Sequence, residues 1–112
     1  MSPTKVSAKV LDELYSIILS RKGGDPSQSH TANLFSKGVG KIAQKVGEEA
    51  VETVIEGVSG SKAELAAESA DLLYHLMVLW AERDLNPEEI WTQLEGRKGK
   101  SGIAEKASRP KN

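Results

Sequence analysis

The sequence predicts an all-α protein, a helical bundle of about four to five helices. Three observations carry that prediction. Apolar residues recur at three- and four-residue intervals, no segment alternates convincingly as a half-buried strand would, and clusters of Gly, Pro, Asp and Ser separate the periodic stretches.

Val10, Leu11, Leu14, Ile17 and Ile18 form a helical stripe within residues 7–21. KGGDPSQS (22–29) gathers turn-favouring residues, and HTANLFSKG after it reads as a short helical link. A second long helix carries Val39, Ile42, Ala43, Val46, Ala50, Val54 and Val58 on its apolar side, and GVSGS (57–61) breaks it. From Lys62 to Arg83 the chain is nearly apolar all round, the pattern of a helix at the centre of a bundle. A helix of that kind is hard to cover within so short a chain, so a homodimer is expected. DLNPEE stops and restarts the helix, with Asn86 as N-cap and Pro87 at the first helical position, and a last helix bears Ile90, Trp91 and Leu94. After Gly96 the backbone is expected to be irregular, which divides the chain into an all-α domain (1–96) and a basic, flexible tail (97–112).

A chain of 112 residues fits one domain with one core. Without cysteine it has no disulfides, thiolate metal sites or cysteine nucleophiles, which suits the cytoplasm. The longest apolar run, Leu76–Ala81, is far below the roughly 20 residues a membrane span needs, and no leader peptide is recognisable. The net charge of −1 hides an asymmetry: residues 1–94 hold 9 Lys/Arg against 14 Asp/Glu, whereas residues 95–112 hold 6 against 2. The tail has no aromatic residue for base stacking, and Gly, Ser and Ala interrupt its cations, so no nucleic-acid partner is expected.

The acids carry the chemistry. Taken alone, Glu48, Glu49, Glu52 and Glu56 behind Lys41 and Lys45 read as a solvated helix face held by Lys–Glu pairs. Glu68 and Asp71 change that reading, because they share one face of the most apolar helix and no Lys or Arg lies between Glu64 and Glu82. Buried carboxylates need cations. If the two helices fold antiparallel about Gly60, Glu52 and Glu68 are each 8 residues from the turn, and Glu49 and Asp71 each 11. Helices packed at about 8–10 Å let four such carboxylates converge on a hard cation. Mg²⁺ is the oxygen-loving cation that commonly shares carboxylates with substrate phosphates. Helix-to-helix salt bridges are the competing structural explanation. The Glu-x-x-His pairs of a di-iron bundle and the alternating acids of an EF-hand are both absent.

EEAVE (48–52) followed by ESAD (68–71) is similar to the acidic pattern of the all-α nucleoside-triphosphate pyrophosphatase (MazG-like) superfamily. TANLFSKGVGKIAQKVGEEAVETVIE (31–56), ESADLLYHLMVLW (68–80) and SGIAEKASR (101–109) more narrowly resemble the phosphoribosyl-ATP pyrophosphatase family of histidine biosynthesis. The resemblance implies Mg²⁺-dependent hydrolysis of 1-(5-phosphoribosyl)-ATP to 1-(5-phosphoribosyl)-AMP and pyrophosphate, in a bundle built from two subunits. It also implies that Glu49, Glu52, Glu68 and Asp71 are the principal metal ligands, with Glu48 as an accessory carboxylate. Two rivals stand beside it: a house-cleaning (d)NTP pyrophosphatase using the same carboxylates, and a non-catalytic helical interaction module.

Lys37, Lys41 and Lys45 recur every four residues around Gly38 and Gly40, which offers a phosphorylated substrate charge and open backbone; SKGVGK is not a P-loop, because no strand precedes it and the spacing is wrong. Ordinary Lys–Glu pairing is the alternative. His75, one turn after Asp71, either orients a carboxylate, touches substrate or is a satisfied core histidine. Trp80 and Trp91 occupy apolar helix positions and read as packing residues. In the tail, Arg97, Lys98, Lys100, Lys106 and Arg109 are candidates to fold over the site and contact the phosphoribosyl phosphate.

Overall fold

The computed structural model describes residues 6–99 and 102–110 and contains six helices, with no strand among the described residues. These are α1 (Lys9–Ser20), α2 (His30–Ser36), α3 (Val39–Ser59), α4 (Lys62–Glu82), α5 (Pro87–Glu95) and α6 (Gly102–Ala107).

Local chemistry sets most boundaries. Ser29 caps α2 by accepting the Ala32 N–H at 3.1 Å. Gly38, at φ 88°, occupies the left-handed region and lets the chain pass from α2 straight into α3. Gly60 ends α3 where a side chain has little room: an added Cβ would lie 2.7 Å from Glu56 Oε1 and 3.0 Å from Glu56 Cα. Ser61 and Glu64 form a capping box that starts α4 immediately afterwards. Asn86 and Glu89 do the same for α5, with Pro87 at the first helical position as the sequence predicts.

The core lies at one end of the α3–α4 hairpin. Leu11, Leu14, Tyr15 and Ile18 of α1 follow the i, i+3, i+4, i+7 rule, and pack against Leu34 and Phe35, Ile42, and Met77, Val78 and Ala81. Val10 and Ile17 of the predicted stripe are exposed, so the buried face of α1 is narrower than its apolar content. Lys22 joins three elements. Its Nζ donates to the Ala81 carbonyl at 3.0 Å, sits 3.6 Å from Asp84 and 3.8 Å from Glu82, and lies over the Phe35 ring. A cation there also complements the C-terminal end of the α4 dipole. Tyr15 donates to the Leu85 carbonyl at 3.0 Å. Trp80 and Trp91 meet edge to face at 6.0 Å, and Trp91 Nε1 donates to Asp12 at 3.3 Å, so both indoles serve packing.

Three expectations differ from the structure in detail. Of the apolar side predicted for α3, only Ile42 is fully buried; Val46 and Ala50 are half-buried, and Val39, Ala43, Val54 and Val58 are exposed. The fully buried residues of α4 all lie in its C-terminal half, from His75 to Ala81. The cause is coverage: α1 and α2 pack on the half of the hairpin away from its turn, and among the described residues the outer half is much less covered. The tail, expected to be irregular, contains α6, a short segment of Ile, Ala, Glu and Lys in which Ile103 is exposed.

Candidate metal centre

The α3–α4 hairpin turns through Gly60 and Ser61, so residues equally spaced from the turn face each other. Glu49, Glu68 and Asp71 each offer one carboxylate oxygen, and these oxygens lie within 4.8 Å of one another. Glu49 is buried at 8% exposure, Glu68 is half-buried and Asp71 is exposed, so the cluster is floored by α3 and open on the side of Asp71.

Glu52, exposed, stands beside the three. Burial, followed by a hydrogen bond and repulsion from Glu52 and repulsion from Asp71 and Glu49, pushes the Glu68 carboxyl up to about 7. Glu49 is raised for the same reasons, burial first and Glu52 next, with His75 opposing. Glu68 Oε2 is sealed from solvent without a hydrogen-bond partner. A sealed carboxylate oxygen in an all-oxygen donor set fits a hard divalent cation, because such a charge relieves both the desolvation and the repulsion between the acids.

Adjacent glutamates are treated oppositely. Glu48 points to solvent, where it accepts from Gln44 Nε2 at 2.9 Å and Lys45 Nζ at 3.4 Å; these hydrogen bonds hold its carboxyl below the usual range. Lys45 also reaches Glu49 at 3.8 Å, which brings it to the edge of the cluster. Lys41 donates to Gln44 Oε1 at 3.4 Å, and Lys37 closes α2.

His75 is buried, and its Nδ1 donates to the Asp71 carbonyl at 2.7 Å. In the neutral ring this leaves the Nε2 lone pair buried without a partner. Tyr74 meets it edge-on at 5.1 Å and pairs through its hydroxyl with Thr31. Arg97 lies in the turn after α5, Lys98 pairs with Glu95 at 2.8 Å, Lys106 lies in the last turn of α6 and Arg109 follows the helix; Lys100 is outside the described residues. Two residues near the acids escape a reading by residue type: Gln44, which holds Glu48, and Thr53, whose hydroxyl lies 2.8 Å from the Glu49 carbonyl and 3.2 Å from the Glu68 carbonyl. Their only sequence signal is position, one helical turn before Glu48 and one turn after Glu49.

A sequence model described as phosphoribosyl-ATP pyrophosphohydrolase matches residues 11–98, from the first buried turn of α1 to just past α5. The chain belongs to the phosphoribosyl-ATP pyrophosphohydrolase family. Among relatives named phosphoribosyl-ATP pyrophosphatase, that of Azospirillum brasilense is 62% identical over 109 residues, covering 97% of this chain and 98% of the relative. That of Paramagnetospirillum magneticum is 59% identical over 104 residues, covering 93% and 95%, and that of Gluconobacter oxydans 58% over 102 residues, covering 91% and 77%. The part matched to the phosphoribosyl-ATP pyrophosphohydrolase family contains all the acids of the cluster and ends before α6, so Lys106 and Arg109 lie beyond it.

Proposed function

We propose that this protein hydrolyses 1-(5-phosphoribosyl)-ATP to 1-(5-phosphoribosyl)-AMP and pyrophosphate in a Mg²⁺-dependent reaction, the second step of histidine biosynthesis, in the cytoplasm. The observation that carries this is the convergence of Glu49, Glu68 and Asp71, with Glu68 Oε2 sealed and unpartnered, in a member of the phosphoribosyl-ATP pyrophosphohydrolase family. Residues 1–96 form the hydrolytic domain and residues 97–112 its basic tail.

Glu49, Glu52, Glu68 and Asp71 hold the cation, which when bound supplies charge neutralisation on the triphosphate and polarisation of its phosphorus. Glu48, kept ionised by Gln44 and Lys45, is the accessory carboxylate that orients the attacking water. Lys45 and Lys41, with Lys37 behind them, contact the phosphates; Lys45 has the strongest support because it already reaches Glu49. His75 holds the Asp71 segment of α4 through its 2.7 Å hydrogen bond. Arg97, Lys106 and Arg109 contact the phosphoribosyl phosphate, which an ordinary nucleotide lacks.

The working form is a homodimer. Val51, Val54, Ile55 and Val58 of α3 are 53–85% exposed, and Leu73 of α4 is 40% exposed. Burying each such side chain is worth about 1.5–3 kcal/mol, so a second copy covering this face gains several of these increments.

Pyrophosphate release from phosphoribosyl-ATP, with and without Mg²⁺ and beside a panel of NTPs and dNTPs, tests the reaction in wild type and Glu49→Gln. Metal-dependent release that favours phosphoribosyl-ATP and is lost in the variant is expected. Preference for a dNTP would keep the site and reassign the substrate; no release from any substrate by folded protein would overturn the reading. Truncation after Glu95 is expected to weaken selectivity for the phosphoribosylated substrate, and unchanged kinetics would remove the tail from the site.

A further inference from the structure

A threonine inside a helix commonly turns its hydroxyl back to the carbonyl four residues earlier, a local contact without wider consequence. Thr53 makes that contact, 2.8 Å from the Glu49 carbonyl, and is half-buried. Its Oγ1 also lies 3.2 Å from the Glu68 carbonyl, across the hairpin on α4. One proton is therefore shared between the main chains of two of the three convergent carboxylates.

Within a helix each of these carbonyls already accepts the N–H four residues on, so neither carbonyl needs the hydroxyl to be satisfied. What it adds is a polar tie between two helices whose facing surface is otherwise strained by like charges: Glu49, Glu52, Glu68 and Asp71 repel each other along the same stretch. Sliding α4 by one residue past α3 moves each side chain by about 1.5 Å along the axis and about 100° around it, enough to take Glu68 away from Glu49. A tie at the carbonyls of those two residues sits where such a slip is most damaging. Nearer the turn, Gly57 lets Leu65 of α4 come within 3.8 Å of where its Cβ would be, an apolar contact with no directional preference. Thr53 is the directional one.

We infer that Thr53 is a positioning residue, which sets the register of α3 against α4 and so holds Glu49 and Glu68 in the geometry that binds a divalent cation. The inference rests on the reading of the carboxylates as the metal site. Thr53→Val removes the hydroxyl with little change of shape, and Thr53→Ser keeps it and removes the methyl. Both variants and wild type are compared by Mn²⁺ binding, followed by electron paramagnetic resonance without substrate, and by the Mg²⁺ dependence of pyrophosphate release.

Thr53→Val is expected to weaken Mn²⁺ binding and to raise the Mg²⁺ concentration for half-maximal rate by roughly tenfold, the scale typical when a group supporting a metal ligand is lost. The rate at saturating Mg²⁺ should change far less, and Thr53→Ser should match wild type in both assays. Metal dependence unchanged in Thr53→Val would overturn the inference. Equal losses in both variants would also overturn it, because the hydroxyl that Thr53→Ser keeps would then not be enough to hold the site. Should Thr53→Val melt too low to assay, a metal dependence of Thr53→Ser displaced from wild type would decide against the hydroxyl, and a matching one for it. Failure of the underlying reading looks different: wild type itself would bind no Mn²⁺, and Glu68→Gln would leave the titration unchanged.

Discussion

The two halves of the α3–α4 hairpin are built from the same two helices and live under different constraints. At the root, Ile42 faces Met77, Val78 and Ala81 and is closed over by Ile18 of α1 and by Leu34 and Phe35 of α2. Toward the turn, Glu49 and Glu68 converge with Asp71 between α3 and α4, beyond them Gly57 meets Leu65, and Val51, Val54, Ile55 and Val58 look outward. The usual arrangement of apolar inside and charged outside holds at the root and is partly reversed in the outer half, where Glu49 is buried and four apolar side chains are exposed. An inversion of that kind is stable when a cation occupies the acidic interior and another surface covers the apolar exterior. The root supplies the packed core of the hairpin, and on the proposed reading a cation and a second copy would complete the outer half.

The largest contrast should come from neutralising an acid in the outer half. Glu68→Gln is expected to cut the rate on the order of 10²–10³-fold, as loss of a principal charge-stabilising group does. The metal-free protein should melt no lower than wild type, because a repelled carboxylate has been removed. A marked fall in melting temperature instead would mean that Glu68 is a structural partner.

Next is truncation at the root. Ile42, fully buried, should cost about 2–5 kcal/mol when replaced by Ala, read from urea unfolding. Val54→Lys in the outer half should leave helicity intact and abolish dimerisation, read by sedimentation across a concentration series. A wild type that stays monomeric at high concentration would break the comparison at its apolar face.

A smaller effect is the response to pH. The Glu68 carboxyl sits at about 7 in the fold against an ordinary 4.5, so its contribution to stability without metal is complete below 4.5 and is lost as pH rises through about 7. Glu49 is shifted in the same direction. The metal-free melting temperature should therefore fall between pH 5 and pH 8, whereas Mg²⁺ affinity should rise over the same range as the competing proton leaves. Melts at these two pH values, with and without Mg²⁺, check both signs; a flat metal-free profile would contradict the raised carboxyls.

The smallest effect belongs to Glu48. Exposed and paired with Lys45, it should leave the melting temperature nearly unchanged on conversion to Gln. Its loss of rate should be smaller than that of Glu49→Gln, so that two adjacent glutamates separate kinetically.

Much of this was legible in the residues. Counting from Gly60 pairs Glu52 with Glu68 and Glu49 with Asp71, and the structure brings Glu49, Glu68 and Asp71 together with Glu52 alongside. Asn86 and Pro87 announce the start of α5 because a capping side chain and a fixed φ act within one turn. The split of the α3 apolar side was not legible. Val54 and Ile42 are equally apolar in the sequence, and only the placement of α1 and α2 decides that one is buried and the other is not. Gln44 and Thr53 were not legible either, since nothing in their residue types points to the acids they support.

Periodicity, caps and turn residues are short-range properties, and they suffice to specify α helices, their order and the face on which each acid stands. Family membership is equally a property of the string, matched over residues 11–98. The raised carboxyl of Glu68, its sealed oxygen and the hydroxyl bridging two backbones are long-range properties. They arise because an antiparallel packing forces like charges into a partly dry space, and no count along the chain measures how dry that space is or which hydroxyl holds it closed.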